Sequence, residues 1–279
     1  MRGPAAPIPT PTPETLMSSF STLEFLRDGA VARITLDRPD AANGLSMQMA
    51  KELLEVSIAC RSDAGIRAVI LTGRGRFFCA GGDLKGFVDN ADHLYAFVKE
   101  LTTHLHSAMV NFARMRAPLV VAVNGAAAGA GFSLAAAGDI VLAARGAKFS
   151  MAYTGAGLVP DGSSSWYLPR IVGIRRTQEL MLTNRRLSAE EALDWGIVTR
   201  VVEDAELSAE AEKLAQQLAS GPTVAFGAVK KLLALSFESS LEAQLEHESQ
   251  AISEAAVTAD GREGVAAFFA KRAADFRGA

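Results

Sequence analysis

Short runs of β-branched and aliphatic residues open the chain, and longer stretches of helical period close it. Residues 23–26 and 31–36 are β-prone runs joined by Asp28-Gly29, which predicts a hairpin, and Arg38-Pro39 ends the second run. Ser46 then stands where an N-cap belongs, ahead of a helix predicted to about residue 59. Residues 68–71 read as a buried strand, followed by a loop over 72–76 and a turn over 77–84 that leads toward a helix. Between residues 90 and 115 the period becomes 3.6. Phe97, Leu101, Leu105, Ala108, Met109 and Phe112 fall on one stripe. Strands are expected at 118–123, 139–143 and 197–202, with a Gly/Ala turn over 124–134 that feeds a short helix. Helices are expected at 166–171, 173–182 and 189–194, the last with a capping box of Ser188 and Glu191 and a stop at Gly196. From residue 208 the pattern is helical, broken at Gly221-Pro222, near Ser239-Ser240 and at Gly261.

Strand, glycine turn, helix and strand thus occur twice in succession. That repetition predicts an α/β fold built from similar units, closed by a helical C-terminal region. The expected division is a tail over 1–19, a core over 20–205 and the helical region over 206–279. The tail holds five of the ten prolines and almost no apolar bulk, a composition expected to stay disordered. It has no basic segment followed by an apolar run, so no secretory signal is expected, and the expected location is cytoplasmic.

Composition narrows the classes further. The 279 residues are 49% apolar and 21% charged, which suits a soluble globular protein, and no apolar run is long enough to span a bilayer. A net charge of -3, with no clustering of Lys and Arg among aromatics, gives no reason to expect nucleic acid as a partner. Cys60 and Cys79 lie far apart and outside any CxxC context, so neither a disulfide framework nor a metal site is indicated.

Candidate chemistry concentrates in three places. Asp161 lies between the apolar approach Gly157-Leu158-Val159-Pro160 and the small residues Gly162 to Ser165. It reads either as the N-cap of the helix carrying Trp166 or as a general base. In the second case Val159, Pro160, Trp166 and Tyr167 would desolvate it and strengthen its hold on a proton. Two glycine-rich turns, Ala80-Gly81-Gly82-Asp83 and Gly129-Ala130-Gly131, each expose backbone N–H groups after a strand. Facing each other, they would hold an oxyanion. A dinucleotide fingerprint fails because Leu134 stands where the third glycine belongs. No phosphate-loop GK[ST] and no GxSxG nucleophile turn are present. His104 and His106, two apart on a helix, point in different directions, and His106 lies beside the core stripe within reach of a cleft. His93 and His247 read as solvated surface.

Taken in order, these motifs resemble the crotonase (enoyl-CoA hydratase/isomerase) superfamily over nearly all of residues 22–278. The resemblance rests on Arg38-Pro39 with Asn43, Phe78 to Leu84, Asn124-Gly125 through Gly131, the 157–170 stretch, Leu187 to Ala192, and Arg262-Glu263-Gly264-Val265 through Lys271-Arg272. It implies a spiral of ββα units with a helical C-terminal oligomerisation region, assembled as homotrimers or homohexamers. The oxyanion hole would fall on the N–H groups of Gly82 and Ala130. Coenzyme A, as part of the thioester substrate rather than a tightly bound cofactor, would lie along Asp40, Ala41 and Ala42 and along Gly82, Asp83, Leu84 and Lys85. Phe268 and Lys271 would reach the coenzyme A of a neighbouring subunit.

Departures from the family pattern bear on the reaction. Hydratases of this family use two glutamates, and Ser133 and Tyr153 stand in their places here. Asp161 falls where the family's enoyl-CoA isomerases place a single acid/base carboxylate, and the segment looks most like the isomerases of phenylacetate breakdown. The expected activity is therefore enoyl-CoA isomerisation, although whole-chain similarity would also suggest the hydratase label. A competing resemblance is to 4-chlorobenzoyl-CoA dehalogenase, in which Asp161 would be the nucleophile and His106 the base. Leu105 and Tyr153 replace the two tryptophans that shape its site. A third possibility of another class is an acyl-CoA-binding paralogue without turnover.

Overall fold

Asp28 and Gly29 reverse the chain as their sequence predicts, with Gly29 at φ 57°. Strands β1 (Leu23–Asp28) and β2 (Val31–Leu36) pair antiparallel in full register. This computed structural model describes residues 20–279; the expectation for residues 1–19 lies outside the described residues. Helix α1 (Met47–Ser62) starts where Ser46 Oγ accepts the Met49 N–H at 3.2 Å. It also holds down the start of β1: the buried Glu52 carboxylate accepts the N–H of Ser21 at 2.8 Å and of Thr22 at 2.9 Å.

From there the chain repeats one unit three times. Strand β3 (Ala68–Gly73) joins the large sheet, β4 (Phe77–Cys79) joins a small one, and helices α2 (Leu84–Asp89) and α3 (Leu94–Arg114) follow. Next come β5 (Leu119–Val123), β6 (Ala126–Ala128) and α4 (Ala130–Ala136). The third unit is β7 (Ile140–Ala144), β8 (Lys148–Ser150) and α5 (Ser164–Thr183). The large sheet runs β1-β2-β3-β5-β7 and is parallel from β2 onward. In the small sheet β4, β6 and β8 are parallel neighbours. These are the ββα units that the resemblance implies.

Strand β9 (Leu187–Ser188), antiparallel to β8, ends the small sheet. Helix α6 (Ala189–Asp194) follows with the expected capping box, and β10 (Arg200–Val202) ends the large sheet beside β7. Every residue of β5 is buried, which suits a strand covered on both faces. One face packs on α1, α3 and the small sheet; the other is covered by α7 (Leu207–Ala219) through Leu207, Ala211, Leu214 and Ala215. Helices α8 (Thr223–Leu235), α9 (Leu241–Ala256) and α10 (Ala259–Phe269) complete the chain. Lys230 pins α8 to the core, its ammonium 2.6 Å from Asp139 and donating to the carbonyls of Phe112 and Ala117. Among the described residues no single helix is long and apolar enough to cross a membrane.

Several boundaries differ from the sequence reading. The stretch over 124–134 contains the strand β6, and 148–150 forms β8; three-residue strands among Gly and Ala have too few positions to show alternation. The last strand covers only residues 200–202 of the expected 197–202. Gly261 does not break a helix. It lies inside α10, whose start is capped by Thr258 Oγ1 accepting the Gly261 N–H at 2.9 Å. A Cβ at Gly261 would come within 2.1 Å of the Ala255 carbonyl, so the residue serves close packing.

Candidate active site

Parallel strands deliver their following residues to a common edge, and here that edge carries the chemistry. Strands β4, β6 and β8 lie side by side, and after them come Gly82, Ala130 and Tyr153 respectively. The two glycine turns face each other, as expected. Gly81 has φ +102°, and a Cβ there would sit 3.0 Å from the Ala128 carbonyl and 3.5 Å from Gly129 Cα. Gly129, at φ 52°, donates its own N–H to Ser150 O. Among the described residues the N–H groups of Gly82 and Ala130 donate to nothing, and both residues line a cavity of about 310 Å³. Two free backbone donors beside one small cavity form a pair that a carbonyl oxygen can accept from.

Asp161 lines the same cavity. Its side chain caps no helix. Helix α5 begins at Ser164, after Gly162 and Ser163 in the left-handed region at φ 59° and 70°, with no side-chain cap. Ser163 in that conformation costs on the order of 1 kcal/mol, and the sharp turn frees the Asp161 carboxylate to face the cavity. Three groups converge on the Asp161 carbonyl: Ser133 Oγ donates at 2.8 Å, Ser164 Oγ at 2.9 Å and Ser164 N at 3.3 Å. Both serines are fully buried.

The surroundings of the carboxylate are more polar than its sequence neighbours suggest. Tyr153 donates its hydroxyl to Oδ1 at 2.6 Å, and His106 Nε2 lies 3.2 Å from Oδ2. Val159, although 79% exposed, lines the same cavity as Asp161, while Trp166 and Tyr167 line a different one, so only part of the apolar cage expected around Asp161 forms. Burial, and then the adjacent Asp161 charge, push the Tyr153 phenol far above its ordinary value, so it stays a neutral donor. Cys79, also beside the turn, is fully buried and its thiol is pushed up to about 12, which keeps it protonated and inert.

The larger neighbouring cavity, about 720 Å³, has His106 and Ser163 on its wall and contains neither Asp161 nor either free donor. The Asp161 carboxylate and both free donors therefore lie together on the smaller one. His106 joins the two by touching Asp161 from α3, while His104 faces Glu100 at 3.8 Å on the same helix.

Segments expected to hold coenzyme A are brought together. Ala80 N donates to Ala42 O, Leu45 N to Gly81 O and Asp83 N to Leu45 O, so the 40–45 loop runs alongside the Gly82 turn. Arg38 ties them with an ion pair to Asp83 at 2.9 Å, and Asn43, fully buried at φ 52°, donates to Arg74 O and Phe77 O. Asp40 and Ala41 are exposed, Leu84 lines the small cavity, and Lys85 pairs with Asp89. Phe268 and Lys271, in contrast, are exposed and line neither cavity. Ser133 and Tyr153 are the partners of Asp161 that sequence reasoning passed over, noting them only as absent glutamates. The signal available was two hydroxyl side chains at positions where the resemblance calls for carboxylates.

Comparison with known proteins identifies the class of enzyme to which this ββα spiral, with two free N–H donors and a carboxylate around one cavity, belongs. The enoyl-CoA hydratase/isomerase family profile matches residues 27–279. The chain is 40% identical over 249 residues to a 1,2-epoxyphenylacetyl-CoA isomerase of Escherichia coli, covering 89% of this chain and 95% of that one. It is 38% identical over 221 residues to a 4-chlorobenzoyl coenzyme A dehalogenase of Arthrobacter, with 79% and 80% covered. The crystal structure of an enoyl-CoA hydratase from a Polaromonas species superposes with a TM-score of 0.87 at 33% identity, covering 91% of this chain and 99% of that one. The chain belongs to the enoyl-CoA hydratase/isomerase, or crotonase, family of acyl-CoA enzymes.

Proposed function

We propose that this protein is an enoyl-CoA isomerase with Asp161 as its single acid/base. The observation that supports the reading best is Asp161 sharing one cavity with the unpartnered N–H groups of Gly82 and Ala130. A thioester carbonyl accepting from both donors acidifies the carbon beside it. Asp161 takes a proton from that carbon of a 3-enoyl thioester, and the electron pair moves onto the carbonyl oxygen as a dienolate. Asp161 then returns the proton two carbons further along, giving the conjugated 2-enoyl thioester with no net change in atoms. One oxyanion donor is typically worth about 3 to 4 kcal/mol of barrier. Hydration is disfavoured because neither Ser133 nor the neutral Tyr153 can take a proton from water near pH 7. Coenzyme A lies along Asp40 to Ala42 and Gly82 to Lys85, in a homotrimer or homohexamer whose neighbouring subunit contributes Phe268 and Lys271. The similarity to the Escherichia coli isomerase favours an arylacetyl-derived acyl group.

Mixing the protein with a 3-enoyl-CoA should produce the conjugated thioester absorbance, while a 2-enoyl-CoA should not be hydrated. Asp161→Asn should abolish turnover and leave coenzyme A ester binding within about threefold, since one hydrogen-bonding position is kept. Retained turnover in that variant would falsify the assignment. A second reading is favoured by the 3.2 Å approach of His106 to Asp161 and by the dehalogenase similarity: nucleophilic attack by Asp161 on an aromatic acyl-CoA, with His106 activating the water. Under that reading Asp161 displaces halide to form an aryl–enzyme ester that water then hydrolyses, so His106→Ala limits halide release from a 4-chlorobenzoyl thioester to about one equivalent per site, and under the isomerase reading no halide appears from either protein. Binding without any turnover would point to the acyl-CoA-binding paralogue.

A further inference from the structure

We infer that Tyr153 is a positioning residue: it holds Oδ1 of Asp161 and so makes Oδ2, the oxygen facing His106, the one that carries the transferred proton. The inference rests on reading Asp161 as the acid/base and adds to it which oxygen works and what selects it. Tyr153 has one hydroxyl proton, and at 2.6 Å it points at Oδ1. Ser133 lies 3.3 Å from the phenol oxygen but uses its own proton on the Asp161 carbonyl at 2.8 Å. The phenol proton is therefore free for the carboxylate. Oδ1 accepts it, and a proton placed on Oδ1 would weaken that bond, because a hydroxyl oxygen accepts less well than the carbonyl oxygen of a carboxylic acid.

Oδ2 has the opposite situation. His106 Nε2 is its partner at 3.2 Å, and the same nitrogen lies 3.3 Å from the Gly162 N–H, which can only donate. An imidazole nitrogen carries either a proton or a lone pair. With Asp161 ionised, Nε2–H donates to Oδ2 and the hydrogen bond from the Gly162 N–H is given up. With the substrate proton on Oδ2, Nε2 turns acceptor and takes hydrogen bonds from Oδ2–H and from Gly162. The imidazole proton moves from Nε2 to Nδ1 through water, which reaches a side chain that is 48% exposed. Both states of Asp161 are thus provided with partners, and Tyr153 donates to Oδ1 in each. The titratable groups facing Asp161 are His106 from α3 and Tyr153 after β8; Ser133 and the Gly162 N–H are uncharged donors. The hydroxyls that replace two glutamates are in this sense the support of the remaining carboxylate.

The test uses the full chain with the variants Tyr153→Phe and Asp161→Asn. Removing a donor from the ionised oxygen should let Asp161 keep its proton to higher pH. The Asp161 carboxyl carbon resonance, assigned by its loss in Asp161→Asn, should respond to pH differently in Tyr153→Phe, its midpoint moving upward. In turnover the acid limb of kcat should move by the same amount and kcat fall about tenfold or more, with KM within about threefold. An unmoved titration in a folded Tyr153→Phe protein overturns the inference. A measurement on the unaltered tyrosine covers the case in which that variant does not fold. With 3-fluorotyrosine at the three tyrosines, one fluorine resonance should follow the Asp161 titration and stop doing so in Asp161→Asn. If no fluorine resonance follows it, Tyr153 does not hold the carboxylate. Loss of the titration coupling with Asp161 still essential defeats this inference alone, whereas an active Asp161→Asn protein defeats the isomerase assignment beneath it.

Discussion

At the scale of single residues, the site is defined by what hydrogen-bonding groups are left without partners. Most backbone N–H groups in a folded core are paired, so two donors unpaired among the described residues and beside one small cavity are informative. Ala130 offers a direct way to remove one of them. It is the first residue of α4, where a proline fits because that N–H has no helical partner. The preceding Gly129, at φ 52° and ψ -126°, is not helical, so it does not oppose a following proline. Ala130→Pro should therefore fold with nearly unchanged thermal stability and lose about 100- to 1,000-fold in kcat/KM. A folded Ala130→Pro protein with full activity would show that this donor plays no part in turnover.

At the scale of elements, the site depends on how closely α4 approaches β4. Gly131 is in the first turn of α4, and a Cβ there would meet the Cys79 carbonyl at 2.2 Å and Cys79 Cβ at 2.7 Å. The obstruction includes backbone of a strand in the small sheet, so it cannot swing aside. Gly131→Ala should cost roughly 1 to 3 kcal/mol by urea unfolding, and the displaced helix should carry Ala130 away from Gly82 and reduce turnover. Unchanged unfolding would mean that α4 has room to shift. Such contacts explain which parts of the fold were legible in the sequence. The hairpin, α1, the α3 stripe, the Ser188–Glu191 box and the glycine turns all announce themselves through local patterns, and the structure bears them out. The small sheet does not, because β6 and β8 have three residues each and their pairing partners are distant in sequence. Asp161 was legible as chemistry but not in its setting. Its partners Tyr153, Ser133 and His106 come from three other segments, and only the packing of β6, β8 and α3 brings them together.

At the scale of the whole molecule, the helices after α7 leave a large apolar surface without a partner among the described residues. Helix α9 buries none of its residues. Leu233, Phe237, Leu241, Leu245, Ile252, Val265, Phe268 and Phe269 are each more than half exposed, and Phe268 reaches 79%. Apolar patches of this kind on a single chain mark interaction surfaces, and an obligate interface of on the order of 2,000 Å² or more would bury them. Under the proposed function Phe268 and Lys271, which line neither cavity of their own chain, reach the coenzyme A of a neighbouring subunit. Light scattering after size exclusion should give about three or six times the 29.4 kDa chain mass. Leu245→Glu together with Phe268→Glu should shift the protein toward smaller species, because two buried carboxylates without partners would oppose association. Lys271→Ala should separate the two roles: the assembly persists, while KM for an acyl-CoA rises about threefold to tenfold as one phosphate-pairing cation is lost. An intact assembly in the double variant would remove α9 and α10 from the interface. An unchanged KM in Lys271→Ala would then leave the coenzyme bound by the Asp40–Lys85 face of a single subunit.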